Sequence, residues 1–488
     1  MGKIIATVFF VLLIAQLYRM TRDEGVKTSK ALWIPTYWFF IGLTRNITDW
    51  LHMSSSSGSE SGQYMEGSPL DRAILILVLA LGLMVVLGRA RKVGMILRAN
   101  FPILLYFSYC LVSILWSDFP DIALKRWFRA LGDVVMVLIV LTDPDWVSAL
   151  RRVLTRLGNA LIPLSILFSR WYPQFGRQFS HNGTIYWSGV TGEKNELGML
   201  TLVFSLASLY YFMQTYRDDR SDRRGKLLKA YAAIVVMGIY LLIGSQSATA
   251  LATFFLAGIP MVLTFRYKAM RQPIMIHTMV FGALGVAASA LFLNIGSGML
   301  TELGRDSSLT GRTAVWHAAL RLAGNPLVGT GFESFWLGAR YDHMADLTHM
   351  YLNQAHNGYL EVYLNLGWIG VGLLALLLFS GYLRIVKGVY WMTPVANLRL
   401  AFFIFAISEN FTEATFKIMN PPWIVLLLAI MAITEIPIAG ELPPPPSPYK
   451  EDLLKPKLPP AKSRVLVGSQ LAWNGPGRSL VRSRSGRN

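Results

Sequence analysis

The chain has 488 residues, of which 53% are hydrophobic and only 15% are charged, and its mean hydropathy is +0.43. Soluble domains carry roughly 25% charged residues, so this composition excludes an ordinary soluble protein and indicates a chain that lies mostly in lipid. The single cysteine, Cys110, excludes a disulfide framework or a thiolate metal site. The meaning of the formal charge of +18 depends on where the basic residues lie along the chain.

Thirteen apolar runs follow one another along the chain and predict membrane-spanning helices. In hydrocarbon, a segment of this length can pair its own backbone N–H and C=O groups only as a helix, and the strand alternation of a barrel is absent. The predicted fold class is therefore an all-α, polytopic integral membrane protein. It has about 12 or 13 transmembrane helices, depending on whether the first run spans. The runs cover residues 4–18, 31–43, 73–88, 101–116, 130–141, 157–168, 197–213, 228–243, 248–265, 274–294, 359–382, 398–407 and 423–436.

The basic residues predict the orientation of these helices. Alternate loops are rich in Lys and Arg, and by count one set of loops holds about 32 of the 46 such residues, against about 13 in the other set. Because cytoplasmic loops carry the excess of positive charge, the richer set is assigned to the cytoplasm. The membrane domain is predicted over residues 1–438, and residues 439–488, rich in Pro and basic residues, form a disordered cytoplasmic tail. The net positive charge is then explained by the orientation of the helices in the membrane, and no nucleic-acid partner is predicted.

The first of two long outer loops, residues 169–196, interleaves aromatic side chains with cations. Aromatic rings suit the C–H faces of sugars, and guanidinium groups suit phosphate. Arg170, Arg177 and Lys194 are therefore candidates for binding a phosphorylated glycan. The alternative is an interfacial belt of aromatic residues, with arginines that reach to the lipid headgroups.

The second outer loop, residues 295–358, is the largest polar stretch outside the tail. A short helix is predicted over residues 311–323 with Thr310 as its N-cap, which puts Arg312 and Trp316 on one face. His356 and Asn357 directly precede a long apolar helix, so the imidazole is expected at the height of the membrane surface. A histidine there is either a solvated or capping residue or the functional group of a site that it shares with arginines on the same face.

Three further patterns are less specific. Arg126, Arg129 and Asp133 lie on one face of a predicted span, where they either guide a diphosphate or form an intramembrane ion pair, and the ion pair is the preferred prediction. Three histidines of the second outer loop, His343, His349 and His356, are spaced six and seven residues apart, too widely for a supported zinc cluster, so no metal site is predicted. Gly367 and Gly370, in the apolar helix that follows, predict the close approach of another helix.

Several short motifs occur together and in one order: GEKN (192–195) with ELG (196–198), LTGR (309–312) with Trp316, NPL (325–327) with Gly329, GF (331–332), and AHNGYL (355–360) with Gly367 and Gly370. Over about residues 190–370 they resemble the O-antigen ligase and Wzy-type polymerase superfamily. The specific branch that they resemble is the exopolysaccharide-production (ExoQ-type) proteins.

The resemblance implies a membrane glycosyltransferase that uses undecaprenyl-diphosphate-linked oligosaccharide on the periplasmic face of the bacterial inner membrane. It implies that His356 is the catalytic base and that Arg312, with Arg177 or Arg170, clamps the diphosphate. The further substrate-binding candidates are Lys194, Asn195, Asn357 and Trp316. No cofactor or metal is expected, because arginines can stabilise a departing diphosphate electrostatically.

Other functions stay open at this point. The ExoQ-type resemblance favours a polymerase of lipid-linked repeat units, and a ligase that transfers the glycan to lipid A-core is the alternative. A polysaccharide-precursor transporter and a non-catalytic export scaffold are rivals from other classes. Besides the bilayer and the lipid-linked oligosaccharide, a chain-length regulator and export proteins are the candidate partners.

Overall fold

The computed structural model describes residues 1–22, 28–51, 68–179, 183–219, 221–292 and 308–432, all within one compact unit, Met1–Thr434. The predicted tail and residues 295–307 of the second outer loop lie outside the described residues. Nearly every regular element of the described part is an α-helix, which confirms the all-α class. One short antiparallel hairpin, β1 (Arg177–Phe179) and β2 (Ile185–Trp187), occurs in the first outer loop.

The α-helices follow one another along the chain with few long interruptions, and 3-10 turns at Lys30–Leu32, Ser113–Trp116 and Ala269–Arg271 supplement them. In chain order the helices are α1 (Gly2–Met20), α2 (Trp33–Leu43), α3 (Ile47–Trp50), α4 (Pro69–Gly88), α5 (Ala90–Ala99), α6 (Phe101–Val112), α7 (Pro120–Leu141), α8 (Trp146–Trp171), α9 (Pro173–Gly176), α10 (Lys194–Asp218), α11 (Arg224–Ser245), α12 (Ala248–Arg266), α13 (Pro273–Phe292), α14 (Ser308–Arg321), α15 (Ala339–Thr348), α16 (Gly358–Tyr390), α17 (Ala396–Glu409) and α18 (Pro421–Ile430).

Six helices are long and apolar enough to cross a bilayer, which confirms a polytopic membrane protein. These are α1, α4, α10, α11, α12 and α16, and the pair formed by α5 and residues 101–116, bent by 91°, would be a seventh span. By this criterion of length and composition the described part does not reach the predicted 12 or 13 spans. Several of the predicted runs belong to helices that are too short or too rich in charge to qualify.

The helices differ in how much protein covers them. α1 and α4 bury only 17% and 22% of their most apolar windows, so their outer faces are suited to lipid. Nearly all of α17 and all of α18 are buried. With ten residues, α18 is only about 15 Å long, about half the thickness of the hydrocarbon layer, and it packs against α16 and α17 inside the bundle.

The long helix α16 is broken at Gly367, where φ is 61° and ψ is −166°. A Cβ at this glycine would lie 2.3 Å from the carbonyl of Leu327, so only glycine permits the approach. The approach predicted at Gly367 is therefore made by the backbone of an outer loop and not by another helix. Four backbone hydrogen bonds of 2.9–3.1 Å join the break to this loop: Trp368 to Pro326, Ile369 to Leu327, Thr330 to Leu364 and Gly331 to Asn365.

One local prediction is wrong, and a second holds only in part. The helix predicted to start at residue 311 is α14, which begins at Ser308, so Thr310 lies in its first turn rather than at its N-cap; helix ends read from sequence shift by a residue or two in this way. Asp133 accepts hydrogen bonds from the Trp38 indole N–H and the Met419 backbone N–H, both at 2.8 Å, and Arg129 acts on it electrostatically without a direct hydrogen bond. Donors from two other elements thus satisfy this buried carboxylate.

Candidate active site

The carboxylate of Glu413 joins three side chains that come from distant parts of the chain. Its Oε1 accepts hydrogen bonds from Arg312 Nη2 at 3.1 Å and from Asn195 Nδ2 at 2.8 Å. Its Oε2 lies 3.0 Å from His356 Nδ1. Glu413 is only 7% exposed, so the carboxylate is well shielded from bulk water. Three residues predicted for the site therefore meet at one acidic residue.

The loop between α17 and α18 presents Glu413 through a local backbone arrangement. The Asn410 side-chain oxygen accepts hydrogen bonds from the N–H groups of Thr415 and Phe416, each at 3.0 Å, which closes the loop around Glu413. The Asn410 carbonyl accepts the N–H of Gly358 at 2.9 Å, which ties this loop to the start of α16. A Cβ at Gly358 would lie 1.8 Å from the Asn410 amide oxygen, so the contact requires glycine.

The backbone around His356 is fixed on both sides of Ala355. The Ala355 N–H donates to Glu361 Oε2 at 3.0 Å, and its carbonyl accepts the Trp316 indole N–H at 2.8 Å. His356 itself has a left-handed φ of 49°, a conformation that a non-glycine residue adopts only where surrounding contacts enforce it. Trp316 therefore positions the histidine loop.

Asn357 acts as the N-cap of α16. Its side-chain oxygen accepts the N–H groups of Tyr359 and Leu360 at 3.1 and 3.0 Å, and its amide nitrogen donates to the Phe411 carbonyl at 3.3 Å. These bonds orient the residue after His356 and link it to the Glu413 loop. The side chain predicted to bind substrate thus has a capping function in the structure.

The two arginines predicted in the first outer loop have other partners. The Arg170 guanidinium lies over the rings of Trp187 and Tyr240, 5.6 and 5.9 Å from their centroids. Arg177, in β1, donates from Nε to the Ser169 carbonyl at 2.6 Å. Within the described ranges, neither arginine contacts the Glu413 cluster, and their assignment to the diphosphate stays a prediction.

Lys194 and Asn195 open α10 and face different partners. Lys194 Nζ lies 5.3 Å from the centroid of the Tyr186 ring, a cation–π distance. Burial of the Tyr186 phenol, with a smaller effect of the Glu193 carboxylate, raises its pKa. Asn195 points the other way, to Glu413, and accepts a hydrogen bond from Ser247 Oγ at 3.3 Å. Of these two neighbours, only Asn195 joins the cluster.

Sequence reasoning missed Glu413. The signal that was available is an acidic side chain, three residues after an asparagine, in a short outer loop between two apolar runs. A charge at the end of a span has many structural explanations, and the histidine it contacts is 57 residues away in the sequence. Only tertiary packing identifies it as a member of the site.

The cluster combines a candidate base with a candidate anion-binding group. A carboxylate offers only acceptors, so its contact with His356 Nδ1 favours the tautomer that carries the proton on Nδ1. Nε2, which makes no hydrogen bond to the described residues, then presents a lone pair. The side chain of His356 is 28% exposed and that of Arg312 19%, so both can meet a ligand. The described residues contain no group of three or more His, Cys, Asp or Glu suited to a metal, and metal independence stays a prediction.

Residues 232–375 match the family model Wzy_C, described as O-antigen ligase. The match runs from α11 into α16 and contains both Arg312 and His356. The family resemblance of the sequence motifs is thereby confirmed. Asn195 and Glu413 lie outside the matched range, so the candidate site extends beyond it.

Three individual proteins are also similar to this chain. The exopolysaccharide production protein ExoQ of Rhizobium meliloti (strain 1021) is 28% identical over 294 residues, which cover 57% of this chain and 63% of that protein. Two proteins of Rickettsia typhi and Rickettsia prowazekii, provisionally named polysaccharide ligases, are each 24% identical over 43% and 42% of this chain. The alignments span less than two thirds of the length of each relative.

Proposed function

We propose that the protein is an integral-membrane glycosyltransferase that polymerises undecaprenyl-diphosphate-linked oligosaccharide repeat units during exopolysaccharide or O-antigen synthesis. The observation that carries the proposal is the convergence of His356 and Arg312 on Glu413, inside and beside the matched O-antigen ligase region. The ExoQ relative is named for exopolysaccharide production, which requires repeat units to be joined, and we therefore place polymerisation first. The ligase names of the matched model and of the Rickettsia relatives favour a ligase as the second candidate.

Our proposal puts the reaction on the periplasmic face of the inner membrane. Helix α10, which contributes Asn195 to the cluster, supports this side of the membrane. It begins beside Asn195 and ends at the strongly basic stretch 217–229, which the distribution of positive charge assigns to the cytoplasm. Its first turn, and with it Glu413, then faces the periplasm.

In the proposed reaction, His356 Nε2 takes the proton of an acceptor sugar hydroxyl as that oxygen bonds to the anomeric carbon of the donor. The bond between this carbon and the diphosphate oxygen breaks, and its electron pair leaves with undecaprenyl diphosphate. Arg312 stabilises the negative charge that develops on the diphosphate, for which its planar fork of N–H groups is suited. Glu413 orients the imidazole and stabilises it once it is protonated, and the proton then passes to water.

The test uses purified protein in liposomes, supplied with lipid-linked repeats extracted from polysaccharide-producing bacteria. We expect wild type to release undecaprenyl diphosphate and to form longer glycans, and His356→Ala to lower the rate by roughly 10²-fold or more because the base is lost. His343→Ala is the matched control, because His343 is exposed on α15 in the same outer segment.

Two results would count against the proposal: wild-type rates in His356→Ala, or no glycan transfer by wild type under any acceptor condition. Addition of lipid A-core separates the candidates, because a ligase would attach the glycan to it and a polymerase would not.

A further inference from the structure

A cavity of about 350 Å³ lies beside the Glu413 cluster and is not used in the mechanism above. It is formed where the segment between α2 and α3 meets the first turns of α4 and α10, the first half of α7 and the loop before α18. Its polar lining includes two guanidinium groups and three carboxylates, and the apolar lining is smaller. The charged and amide side chains that bear on its chemistry are those of Arg45, Arg129, Asp49, Asp71, Glu196 and Asn420.

Several of these groups are already held in place by the protein. Arg45 donates from Nε to the Thr191 carbonyl at 3.0 Å and from Nη2 to the Phe175 carbonyl at 2.5 Å. The Asp71 carboxylate accepts from both the N–H and the hydroxyl of Thr48, at 3.2 and 2.6 Å. The wall is therefore built before any ligand binds.

Some polar groups of the lining make no hydrogen bond to the described residues. The guanidinium of Arg129 donates none, although the carboxylates of Asp71 and Asp133 act on it electrostatically. The amide oxygen of Asn420 also lacks a hydrogen-bond partner within the described part of the chain, but it is shielded from any molecule in the cavity. An unsatisfied donor set beside three carboxylates in one cavity indicates a ligand that both donates and accepts.

The cavity and the Glu413 cluster share structural elements. Asn195 and Glu196 are consecutive in the first turn of α10: the first donates to Glu413 and the second lines the cavity. The loop that carries Glu413 continues directly into Met419 and Asn420, which also line it. A molecule in the cavity would therefore be a neighbour of the reacting groups.

The chemistry of the lining distinguishes between ligand classes. Three carboxylates against two guanidinium groups give a formal charge of −1, which disfavours phosphate or pyrophosphate. Sugar hydroxyls both donate and accept, so they can satisfy the carboxylates and the guanidinium groups together. The C–H faces of a sugar suit the apolar side chains of Leu75 and Ile418, and the volume lies in the range of ordinary small-molecule sites.

We propose that this cavity is a saccharide subsite that holds one or two neutral sugar rings of the lipid-linked substrate beside His356 and Glu413. The proposal rests on the proposed function for the identity of the substrate. Its binding test does not require turnover.

The first experiment measures binding by protection of a thiol. Asn46→Cys introduces a reactive group at an exposed residue of the cavity wall, in a background whose only native cysteine, Cys110, is buried. The probe is a membrane-impermeant methanethiosulfonate, and the ligand is the oligosaccharide released by mild acid from lipid-linked repeats. We expect the oligosaccharide to slow labelling about fivefold or more. Asp121→Cys, exposed at the start of α7 and outside the cavity, should be labelled at an unchanged rate.

Four outcomes would overturn the subsite: no labelling of Asn46→Cys, no protection by the oligosaccharide, equal protection at Asp121→Cys, or protection by inorganic pyrophosphate alone. His356→Ala should leave the protection intact, because the imidazole is not part of the cavity. If the protein transfers no glycan but the oligosaccharide still protects the thiol, the proposed function is refuted and the proposal of a saccharide subsite stands.

The second experiment uses kinetics. Arg129→Gln removes the guanidinium that the ligand would satisfy, so KM for lipid-linked repeats should rise about tenfold while kcat stays within about twofold. Arg129 makes no hydrogen bond to the described residues that the substitution could break, so the variant should fold. An unchanged KM in this variant would refute the subsite.

Discussion

Glu413→Gln is the sharpest test of the site, because it removes a charge while leaving the shape of the side chain almost unchanged. The carboxylate now accepts from Arg312 and Asn195 at one oxygen and contacts His356 at the other. An amide has one oxygen and one donor group, so it cannot satisfy all three. If the oxygen stays with Arg312 and Asn195, the amide N–H₂ faces His356 Nδ1 and selects the tautomer whose Nε2 carries a proton. That imidazole cannot act as the base.

The magnitude follows from what is lost. General-base catalysis contributes roughly 10²–10⁴-fold, so we expect kcat to fall within that range. The stability effect should be smaller. One hydrogen-bonded ion pair to a partly exposed arginine is weakened, which corresponds to about 1–2 kcal/mol in the free energy of unfolding after allowance for solvent screening. The variant should therefore fold and bind substrate, yet turn over slowly.

The assay is glycan transfer in proteoliposomes at matched protein levels, with thermal stability followed by size-exclusion chromatography. Asp118→Asn is the control, because Asp118 pairs with Arg340 at 2.6 Å in an exposed setting, and its loss should change kcat by less than about twofold. Retention of more than half the wild-type kcat by a folded Glu413→Gln protein would show that the contact with His356 does not govern the reaction.

Two further predictions concern the arginine of the site and the break in α16. Arg312→Lys keeps the positive charge but loses the planar fork, so kcat should fall at least about tenfold, whereas Arg340→Lys, on a surface ion pair, should stay close to wild type in the same transfer assay. Equal effects of the two substitutions would argue against a diphosphate contact at Arg312. Gly367→Ala places a Cβ 2.3 Å from the Leu327 carbonyl at a positive φ, so the unfolding temperature should drop sharply and little folded protein should accumulate, as expected for a loss above about 2 kcal/mol. Gly372→Ala, on the same helix with open space around it, should be neutral, and normal folding of Gly367→Ala would contradict the geometry of the break.

Much of this architecture follows from local sequence properties. Apolar runs of sufficient length must become helices in lipid, so the all-α class and the polytopic organisation could be predicted without tertiary information. That Arg312 and His356 belong to one site could also be predicted, because both lie in the same outer segment and within the family motifs. The Trp316 side chain contacts the backbone next to His356, at Ala355, and its substrate-binding role stays a prediction.

What the sequence could not reveal depends on contacts between distant segments. Glu413 reaches its partner Asn195 across 218 residues, and no local pattern distinguishes it from other acidic residues at helix ends. The carboxylate of Asp133 accepts its hydrogen bonds from a tryptophan and a backbone N–H, and not from the arginines a few residues earlier on the same helix. A buried carboxylate needs hydrogen-bond donors, and tertiary packing decides which donors lie within reach of it.

The four backbone bonds at Gly367 have a consequence for how the protein can be altered. Loop 326–331 supplies the partners that the interrupted helix would otherwise lack at a buried position, where an unpaired peptide group is costly. The loop is thus no removable lid. Grafting it onto another scaffold, or deleting it to simplify the protein, would strip a transmembrane helix of its own hydrogen bonding, and the two parts can change only together.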